Sequence, residues 1–179
     1  REQSRCPRVA PAAHTLPHTP ARHGVRMTTT TQTTPDLSAV GAKHRALWAS
    51  GDYPAVAADL IPDLGATLVD AAGVTAGRRV LDVGAGTGNA AIPAALAGAD
   101  VVASDLTPEL LAVGETLAAR RGARLQWVQA DAHALPFETG EFDTVLSCVG
   151  VMFAPFHERA AAELLRSAGG HPQPTLESN

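Results

Sequence analysis

The residues with the clearest chemical potential form a glycine-rich stretch near the middle of the chain. Asp82 follows an apolar run, and glycines then occupy positions 84, 86 and 88. Glycine lets the backbone adopt positive φ angles and lets a ligand lie directly against it, because no Cβ intervenes. A carboxylate beside such a turn accepts hydrogen bonds either from a ligand or from the N–H groups of the turn itself. The stretch therefore predicts a ligand-binding turn in which Asp82 has one of these two roles.

The sequence on either side of the glycines predicts a strand before them and a helix after them. Residues 80–83 are apolar except for the acid, which is typical of a strand buried on both faces. The alanine-rich residues 89–97 predict a helix that ends at Gly98. Pro93 lies inside this predicted helix, where a proline removes a backbone hydrogen bond and predicts a kink.

The glycine spacing separates two classes of ligand. A dinucleotide-binding turn has the pattern G-x-G-x-x-G/A, which requires a small residue where this chain has Asn89. The pattern D-x-G-x-G-x-G found here therefore disfavours a pyrophosphate ligand. An NAD(P)-linked oxidoreductase stays an alternative, because Asp105 lies about 20 residues after the glycines, as an NAD-binding acid does.

Strands and helices continue to alternate after the glycine stretch. Further strands are predicted at residues 100–105, 125–129 and 142–148, with helices that begin at Pro108 and Pro155. This alternation predicts an α/β fold with a Rossmann-like parallel sheet of about four strands and flanking helices. Trp127, inside a strand, is expected to pack in the core. The last helix is expected to carry Phe156, Ala160, Leu164 and Leu165 on one face.

The composition suggests four segments along the chain. Residues 1–40 are rich in proline and threonine and are expected to be disordered, as is the tail at 171–179. A helical lead-in is predicted at 41–74 and the ligand-binding core at 75–170. Met27 looks like a natural start. The lead-in contains Trp48 and Tyr53, which either fold over a ligand or fasten the lead-in helix. No metal site is predicted, since the histidines of the first segment, at 14, 18 and 23, lie among prolines and cannot share a helix face.

The overall composition restricts the function classes. The net charge is −4 and residues 1–26 are basic, so the rest of the chain is acidic, which argues against general binding of nucleic acids. No apolar stretch approaches the ~18 residues of a membrane span. Cys6 and Cys148 suggest no disulfide framework, and we expect a cytoplasmic protein. Cys148 ends a buried strand and is expected to pack rather than react.

Several stretches together resemble the class I S-adenosylmethionine-dependent methyltransferases. The D-x-G-x-G-x-G pattern at 82–88 resembles their motif I, and residues 142–147 resemble their fourth-strand motif. The run D-A-H-A-L-P-F at 131–137 is similar to the ubiquinone and menaquinone C-methyltransferases of the type 11/25 domain group. The resemblance covers about residues 42–170 and implies methyl transfer to a small-molecule acceptor.

The resemblance also implies a cofactor and its contacts. The cofactor is S-adenosylmethionine and the product S-adenosylhomocysteine. Asp105 matches the acid that holds the ribose hydroxyls, and Asp131 with Ala132 matches the pair that reads the adenine. The last acid could instead be a loop residue or a helix cap. The candidate cofactor-binding residues are Asp82, Gly84, Ala85, Gly86, Gly88, Asp105, Leu106, Asp131, Ala132 and Ser147.

A catalytic base is needed only if the acceptor must lose a proton. His133 is a weak candidate for this role, because imidazole titrates near neutral pH. A position at a helix start or on the surface is the expected alternative. His157 is a weaker candidate still, and the catalytic residues otherwise stay unknown.

The chain departs from the resembled family after the last predicted helix. Relatives have a seven-stranded sheet, whereas the polar, proline-containing residues after Ser167 predict no further strand. We therefore expect a C-terminally truncated chain whose fourth strand is an exposed edge. Such an edge could self-associate. An inactive fragment that folds poorly, or that binds a partner through this edge, is a third hypothesis.

Overall fold

The computed structural model describes residues 37–169. The predictions for 1–36 and 170–179, including those for Met27 and the early histidines, lie outside the described residues. Helix α1 (Leu37–Ser50) begins inside the segment expected to be disordered. It is followed by α2 (Tyr53–Leu60) and α3 (Leu64–Ala71), which form a helical lead-in. Within the described part of the chain, no helix has the length and apolar character needed to cross a membrane.

The core is a parallel sheet of four strands, as the sequence predicts. The strands are β1 (Arg79–Val83), β2 (Asp100–Asp105), β3 (Gln126–Gln129) and β4 (Thr144–Leu146). Their order across the sheet is β3-β2-β1-β4, with all neighbours parallel. The chain thus builds outward from β1 to one side and then crosses over to place β4 on the other. Ligands of such sheets bind at this reversal point, beyond the carboxyl ends of the strands.

Helix α4 (Ala91–Leu96) starts later than predicted, and the expected kink at Pro93 is wrong. The side chain of Asp82 accepts a hydrogen bond of 2.9 Å from the N–H of Ala91 and so fixes the helix start there. Pro93 consequently falls in the first turn, where backbone N–H groups have no partner within the helix. A proline at this position disrupts no helical hydrogen bond.

Helix α5 (Pro108–Arg121) has the predicted ends. Thr107 is its N-cap residue, Pro108 occupies the first turn, and Gly122 ends the helix with a left-handed φ of 74°. The buried side of α5 contacts Trp127, which packs in the core as predicted. A Cβ on Gly114 would lie 2.6 Å from the Trp127 ring, so this glycine allows the helix to approach the sheet.

Each face of the sheet has its own apolar cluster. Alternate residues of the strands point to opposite faces, so Val80 and Val101 pack under α3 and α4. Leu81 and Val102 pack on the other face with Phe142, which is fully buried. The two clusters hold β1 and β2 at the centre of the molecule.

Helix α6 (His157–Ser167) covers the second face, but the residues predicted to share one of its faces differ in burial. Ala160 is buried and Leu164 packs against the cluster that contains Phe142. Leu165 is 78% exposed, although the sequence placed it on the same face. Successive residues of a helix point about 100° apart, so Leu165 points away from the direction of Leu164. No apolar element in the described part of the chain covers Leu165 there.

Strand β4 is the edge of the sheet among residues 37–169. Among the described residues, the outer side is paired only just before β4, at Phe142. The N–H of Phe142 donates to the carbonyl of Ser167 at 3.1 Å, and the N–H of Gly169 donates to the carbonyl of Phe142 at 2.6 Å. Residues 144–146 have β1 on one side and no described strand on the other. Self-association through this edge stays a prediction.

Candidate functional site

The carboxyl ends of the strands open into a cavity of about 470 Å³. Its wall comes from the glycine turn after β1 (residues 84–88), the end of β2, the loops after β3 and β4, and helices α1 and α2. Seven of the predicted cofactor-binding residues lie on this wall: Gly84, Ala85, Gly86, Asp105, Leu106, Asp131 and Ala132. The other three, Asp82, Gly88 and Ser147, are not among the residues that line it.

The glycine turn presents its backbone to the cavity. Gly86 has a φ of 55°, and a Cβ at this position would meet no atom within 4 Å, so the backbone is open to a ligand. Gly84 has a different reason to lack a side chain, because a Cβ there would lie 2.8 Å from the Cα of Gly150. The turn is therefore packed closely against the loop after β4 and remains open at its centre.

Asp105 joins the end of β2 to the glycine turn. One carboxylate oxygen accepts the N–H of Gly86 and the other accepts the N–H of Thr107, each at 2.8 Å. Burial raises the pKa of Asp105 above its ordinary value, and the hydrogen bonds from Thr107 and Gly86 oppose this rise. Each carboxylate oxygen has further acceptor capacity, so the group can still accept hydroxyl hydrogens from a ligand.

Asp82 lies behind the glycine turn and is 1% exposed. Its Oδ2 accepts the N–H of Ala91, while its Oδ1 is buried without a hydrogen-bond partner in the described structure. Burial raises the pKa of Asp82 to about 7, and the nearby charge of Asp105 adds to this rise. Of its two predicted roles, the structure shows the contact with the backbone.

His133 is buried, so the expectation of a surface or helix-start position is wrong. Its Nδ1 lies 2.6 Å from Oδ1 of Asp131, and its Nε2 accepts the N–H of Phe156 at 3.2 Å. The ring also meets that of Phe156 edge-to-face, with 5.5 Å between the centroids. Because both ring nitrogens are already engaged, this arrangement gives His133 no free lone pair with which to take a proton from an acceptor.

The loop after β4 contains the predicted residue Ser147 and two residues that the sequence did not single out, Val149 and Gly150. Ser147 Oγ donates to the carbonyl of Val83 at 2.6 Å and accepts the N–H of Val151 at 2.9 Å, which clamps this loop to β1. Val149 has a φ of 63°, a strained conformation for a β-branched residue. A Cβ on Gly150 would lie 2.5 Å from the carbonyl oxygen of Gly84. A glycine two residues after the predicted strand at 142–148 was the signal of this contact in the sequence.

Aromatic side chains form the opposite wall of the cavity. The rings of Trp48 and Tyr53 have centroids 4.7 Å apart, and Trp48 meets Phe153 at 5.0 Å. All three rings, which we call the aromatic trio, line the cavity, so the two lead-in aromatics do lie over the site. Helix α1 carries Trp48 at one end, while a Cβ on Gly41 nearer its start would lie 3.5 Å from Oδ2 of Asp131.

Two polar residues connect the lead-in to the strands beside the trio. The Nδ2 of Asn89 donates to the carbonyl of Ile61 at 3.2 Å and lies 3.8 Å from the sulfur of Cys148. Both Asn89 and Cys148 line the cavity, so the cysteine is not simply core packing. Burial raises the pKa of the Cys148 thiol, which keeps it protonated and weakly nucleophilic at neutral pH.

The charge of the cavity decides which ligands suit it. Among the described lining residues the carboxylates are Asp105 and Asp131, and no lysine or arginine is present. A pyrophosphate would therefore meet no cationic side chain, and the start of α4, a usual anion site, already holds the carboxylate of Asp82. Hydroxyl, amino and cationic groups, in contrast, find acceptors. These acceptor groups therefore fit an adenosyl sulfonium compound better than a dinucleotide. Residues 37–169 contain no cluster of histidines, cysteines and acids placed to bind a metal ion.

Known proteins resemble this chain most over its sheet. Residues 80–169 match a family described as "Methyltransferase domain". An uncharacterized protein of Mycobacterium tuberculosis is 56% identical over 133 residues, which cover 74% of this chain and 48% of that protein. The demethylmenaquinone methyltransferase of Renibacterium salmoninarum is 43% identical over 99 residues, which cover 55% of this chain and 40% of the relative.

A solved structure agrees with these sequence matches. The TehB-like SAM-dependent methyltransferase of Corynebacterium glutamicum is 27% identical, has a TM-score of 0.53, and is matched over 74% of this chain and 68% of its own. This chain spans about half the length of the curated relatives it matches. The matched residues 80–169 include the glycine turn and all of the sheet except Arg79, the first residue of β1. The chain therefore belongs to the class I S-adenosylmethionine-dependent methyltransferase family.

Proposed function

We propose that the chain binds S-adenosylmethionine in the cavity at the carboxyl ends of the strands and transfers its methyl group to a small-molecule acceptor. The observation that carries this proposal is the set of groups that the strand ends and the loops after them present to the cavity. The open backbone at Gly86 lies beside the carboxylates of Asp105 and Asp131, with no cationic side chain on the described wall. The same observation disfavours the NAD(P)-linked alternative.

The cofactor-binding residues divide into two groups under this proposal. Asp105 accepts the ribose hydroxyls, and Asp131 with Ala132 binds the adenine, while Gly84, Ala85, Gly86 and Leu106 supply the surface between them. Asp82, Gly88 and Ser147 act from behind this surface. Asp82 fixes the start of α4, Ser147 clamps the loop after β4, and Gly88 makes room for Trp127, whose ring would lie 2.8 Å from a Cβ there.

The protein's part in the reaction is to position the reactants and exclude water. The bound cofactor supplies a methyl group that is already activated by its sulfonium leaving group. Holding two reactants in line is worth about 7–11 kcal/mol in favourable cases. His133 is not placed as a general base, since both of its ring nitrogens are engaged. His44 of α1 is the other histidine on the described wall.

The aromatic trio supports an acceptor that is small, uncharged and ring-containing. Trp48, Tyr53 and Phe153 offer ring faces and edges to the cavity, with no charged group among them. Aromatic rings bind other rings in offset or edge-to-face arrangements. The relative described as a demethylmenaquinone methyltransferase agrees with such an acceptor.

The experiment that tests the proposal is isothermal titration of S-adenosylhomocysteine into the full chain. We expect micromolar affinity, which Asp105→Ala should weaken about 10- to 100-fold because charge-assisted hydrogen bonds are lost. Asp100→Ala is the matched control, since Asp100 is exposed at the other end of the same strand and should leave the affinity unchanged. NADH should not compete. No binding heat from a chain with a dispersed amide spectrum would contradict the proposal.

A further inference from the structure

His133 links two loops on the cavity wall. Its backbone N–H and its Nδ1 both meet Oδ1 of Asp131, at 2.9 and 2.6 Å, in the loop after β3. Its Nε2 accepts the N–H of Phe156, and its carbonyl accepts Nε of Arg159 at 2.8 Å, both at the start of α6. One residue therefore connects the predicted adenine-binding loop to the last helix.

The contact with Phe156 determines where the imidazole carries its proton. A backbone N–H can only donate, so Nε2 must accept through its lone pair and the ring proton resides on Nδ1. The Nδ1–H then donates to Oδ1 of Asp131. The ring is 6% exposed and packed against that of Phe156, so it cannot easily turn away from these two partners.

This arrangement fixes the carboxylate of Asp131 by one oxygen. Oδ1 accepts both hydrogen bonds from His133, which leaves Oδ2 as the oxygen without a described partner. Oδ2 lies on the side of Gly41 of helix α1, and Asp131 itself is on the cavity wall. Without the imidazole, only the backbone N–H of residue 133 still holds Oδ1, so the carboxylate is fixed less firmly.

We propose that His133 is a positioning residue that sets the purine specificity of the site. By occupying Oδ1 it dedicates Oδ2 of Asp131 to accepting a hydrogen from the 6-amino group of the ligand. An ionised carboxylate accepts hydrogen bonds and donates none, so a 6-oxo purine presents an unmatched acceptor to it. This inference rests on the proposed function, because it requires an adenosyl ligand in this cavity.

Two substitutions separate the two ring contacts of His133. In His133→Asn the amide nitrogen is two bonds from Cβ, as Nδ1 is, so the donor to Asp131 is kept and the acceptor for Phe156 is lost. In His133→Gln the amide oxygen is three bonds from Cβ, as Nε2 is, so the acceptor is kept and the side-chain contact with Asp131 is lost, while the backbone N–H of residue 133 still reaches Oδ1. The pair therefore removes one contact at a time.

The measurement is the ratio of the dissociation constants of S-inosylhomocysteine and S-adenosylhomocysteine, obtained by isothermal titration. The wild-type chain should prefer the adenosyl compound by at least about 10-fold, because an unpaired buried acceptor is costly. His133→Asn should keep most of this preference, and His133→Gln should lose most of it, approaching Asp131→Ala. A general loss of stability would weaken both ligands together and leave the ratio unchanged.

The outcomes distinguish this inference from the proposed function. A wild-type chain that binds neither compound overturns both. A wild-type chain that prefers the adenosyl compound, with an unchanged ratio in His133→Gln, overturns the role of His133 alone. Should a variant fail to fold, long-range nitrogen NMR of the wild-type imidazole decides instead. A protonated Nδ1 that shifts on binding the adenosyl but not the inosyl compound supports the inference, and a protonated Nε2 overturns it.

Discussion

The two sides of the cavity are built in different ways. On the strand side, the functional groups are held by hydrogen bonds to one another, as where Asp105 accepts the N–H groups of Gly86 and Thr107. On the helix side, the wall consists of the aromatic trio, and the apolar side chains near it are exposed. Leu47 of α1 is 55% exposed and Val56 of α2 is 48% exposed.

This difference indicates which part of the site is organised before any ligand binds. Groups locked by packing and backbone hydrogen bonds meet a ligand without rearrangement, which favours affinity and specificity. Exposed apolar groups gain free energy when a ligand or another surface covers them. Substitutions on the strand side should therefore change the global stability and the affinity for cofactor. Those on the helix side should act locally.

The largest effect of a single substitution at fixed pH is expected from Gly150→Ala, where the two sides meet. The new methyl group would lie 2.5 Å from the carbonyl oxygen of Gly84 and 2.8 Å from that of Val83. Backbone atoms cannot move aside as a side chain can, so we expect a loss of about 3 kcal/mol in the free energy of unfolding. Urea denaturation measures this loss.

Gly41→Ala provides the control for this prediction. Its methyl group would have a 3.5 Å contact with Asp131, which is an ordinary distance. The residue lies inside helix α1, where alanine is more favourable than glycine by up to about 1 kcal/mol. Equal stability of Gly150→Ala and the wild-type chain would show that the turn and the loop are not packed as closely as described.

A second prediction concerns the buried carboxyl of Asp82. Its pKa is about 7 in the folded chain, against 3.8 for an ordinary aspartate, because burial disfavours the charge. The folded chain therefore holds this proton over a range where the unfolded chain has released it. The free energy of unfolding should fall as the pH rises from about 4 to about 7, by up to about 1.4 kcal/mol per pH unit.

The pKa of Asp105 is raised too, so Asp105 also makes the free energy of unfolding fall as the pH rises. Comparison with Asp82→Asn isolates the contribution of Asp82. The asparagine keeps an oxygen for the N–H of Ala91 but does not titrate, so its stability should fall less over the same pH range. Asp100→Asn, at an exposed position, should follow the wild-type curve. Parallel curves for the wild-type chain and Asp82→Asn would contradict the raised pKa.

On the helix side, Trp48→Ala should have a smaller and local effect. It removes ring contacts with Tyr53 and Phe153, each worth about 0.5–1.5 kcal/mol. We expect faster hydrogen exchange in α1 and α2 with little change in the strands, and less than about a 3-fold change in the affinity for S-adenosylhomocysteine. Leu47→Ala, at an exposed neighbouring position, should leave the exchange unchanged. A loss of affinity as large as that of Asp105→Ala would show that the two sides are not separate.

The same division explains what the sequence could predict. The sequence predicted the glycine turn and the acids that end β2 and follow β3 because each lies next to a strand, turn or helix that residues nearby in the chain determine. The contact of His133 with Phe156 and that of Gly84 with Gly150 join residues far apart in sequence. No local pattern reports such a contact, so the burial of His133 was missed.

The two errors in helices have a related cause. Pro93 looked interior because alanines predict a long helix, whereas the side chain of Asp82 fixes the start at Ala91. Leu165 was placed on one helix face with Leu164, whereas Leu164 packs against the core and Leu165 is exposed. In both cases a tertiary contact, rather than the propensity of the residue, decides the outcome.

The smallest effect is expected from Val149→Gly, in the loop that connects the two sides. A left-handed φ costs a β-branched residue about 1–2 kcal/mol, whereas glycine adopts it freely but loses about 0.5–1 kcal/mol more chain entropy on folding. The net expectation is a gain of about 0.5–1 kcal/mol in the free energy of unfolding, measured by urea denaturation. Val113→Gly is the matched control, because Val113 is equally exposed, 38% against 39%, but lies in helix α5, where glycine should destabilise the fold. If Val149→Gly is instead destabilising, contacts of the valine side chain on the cavity wall outweigh the strain, and the loop after β4 belongs with the organised strand side of the site.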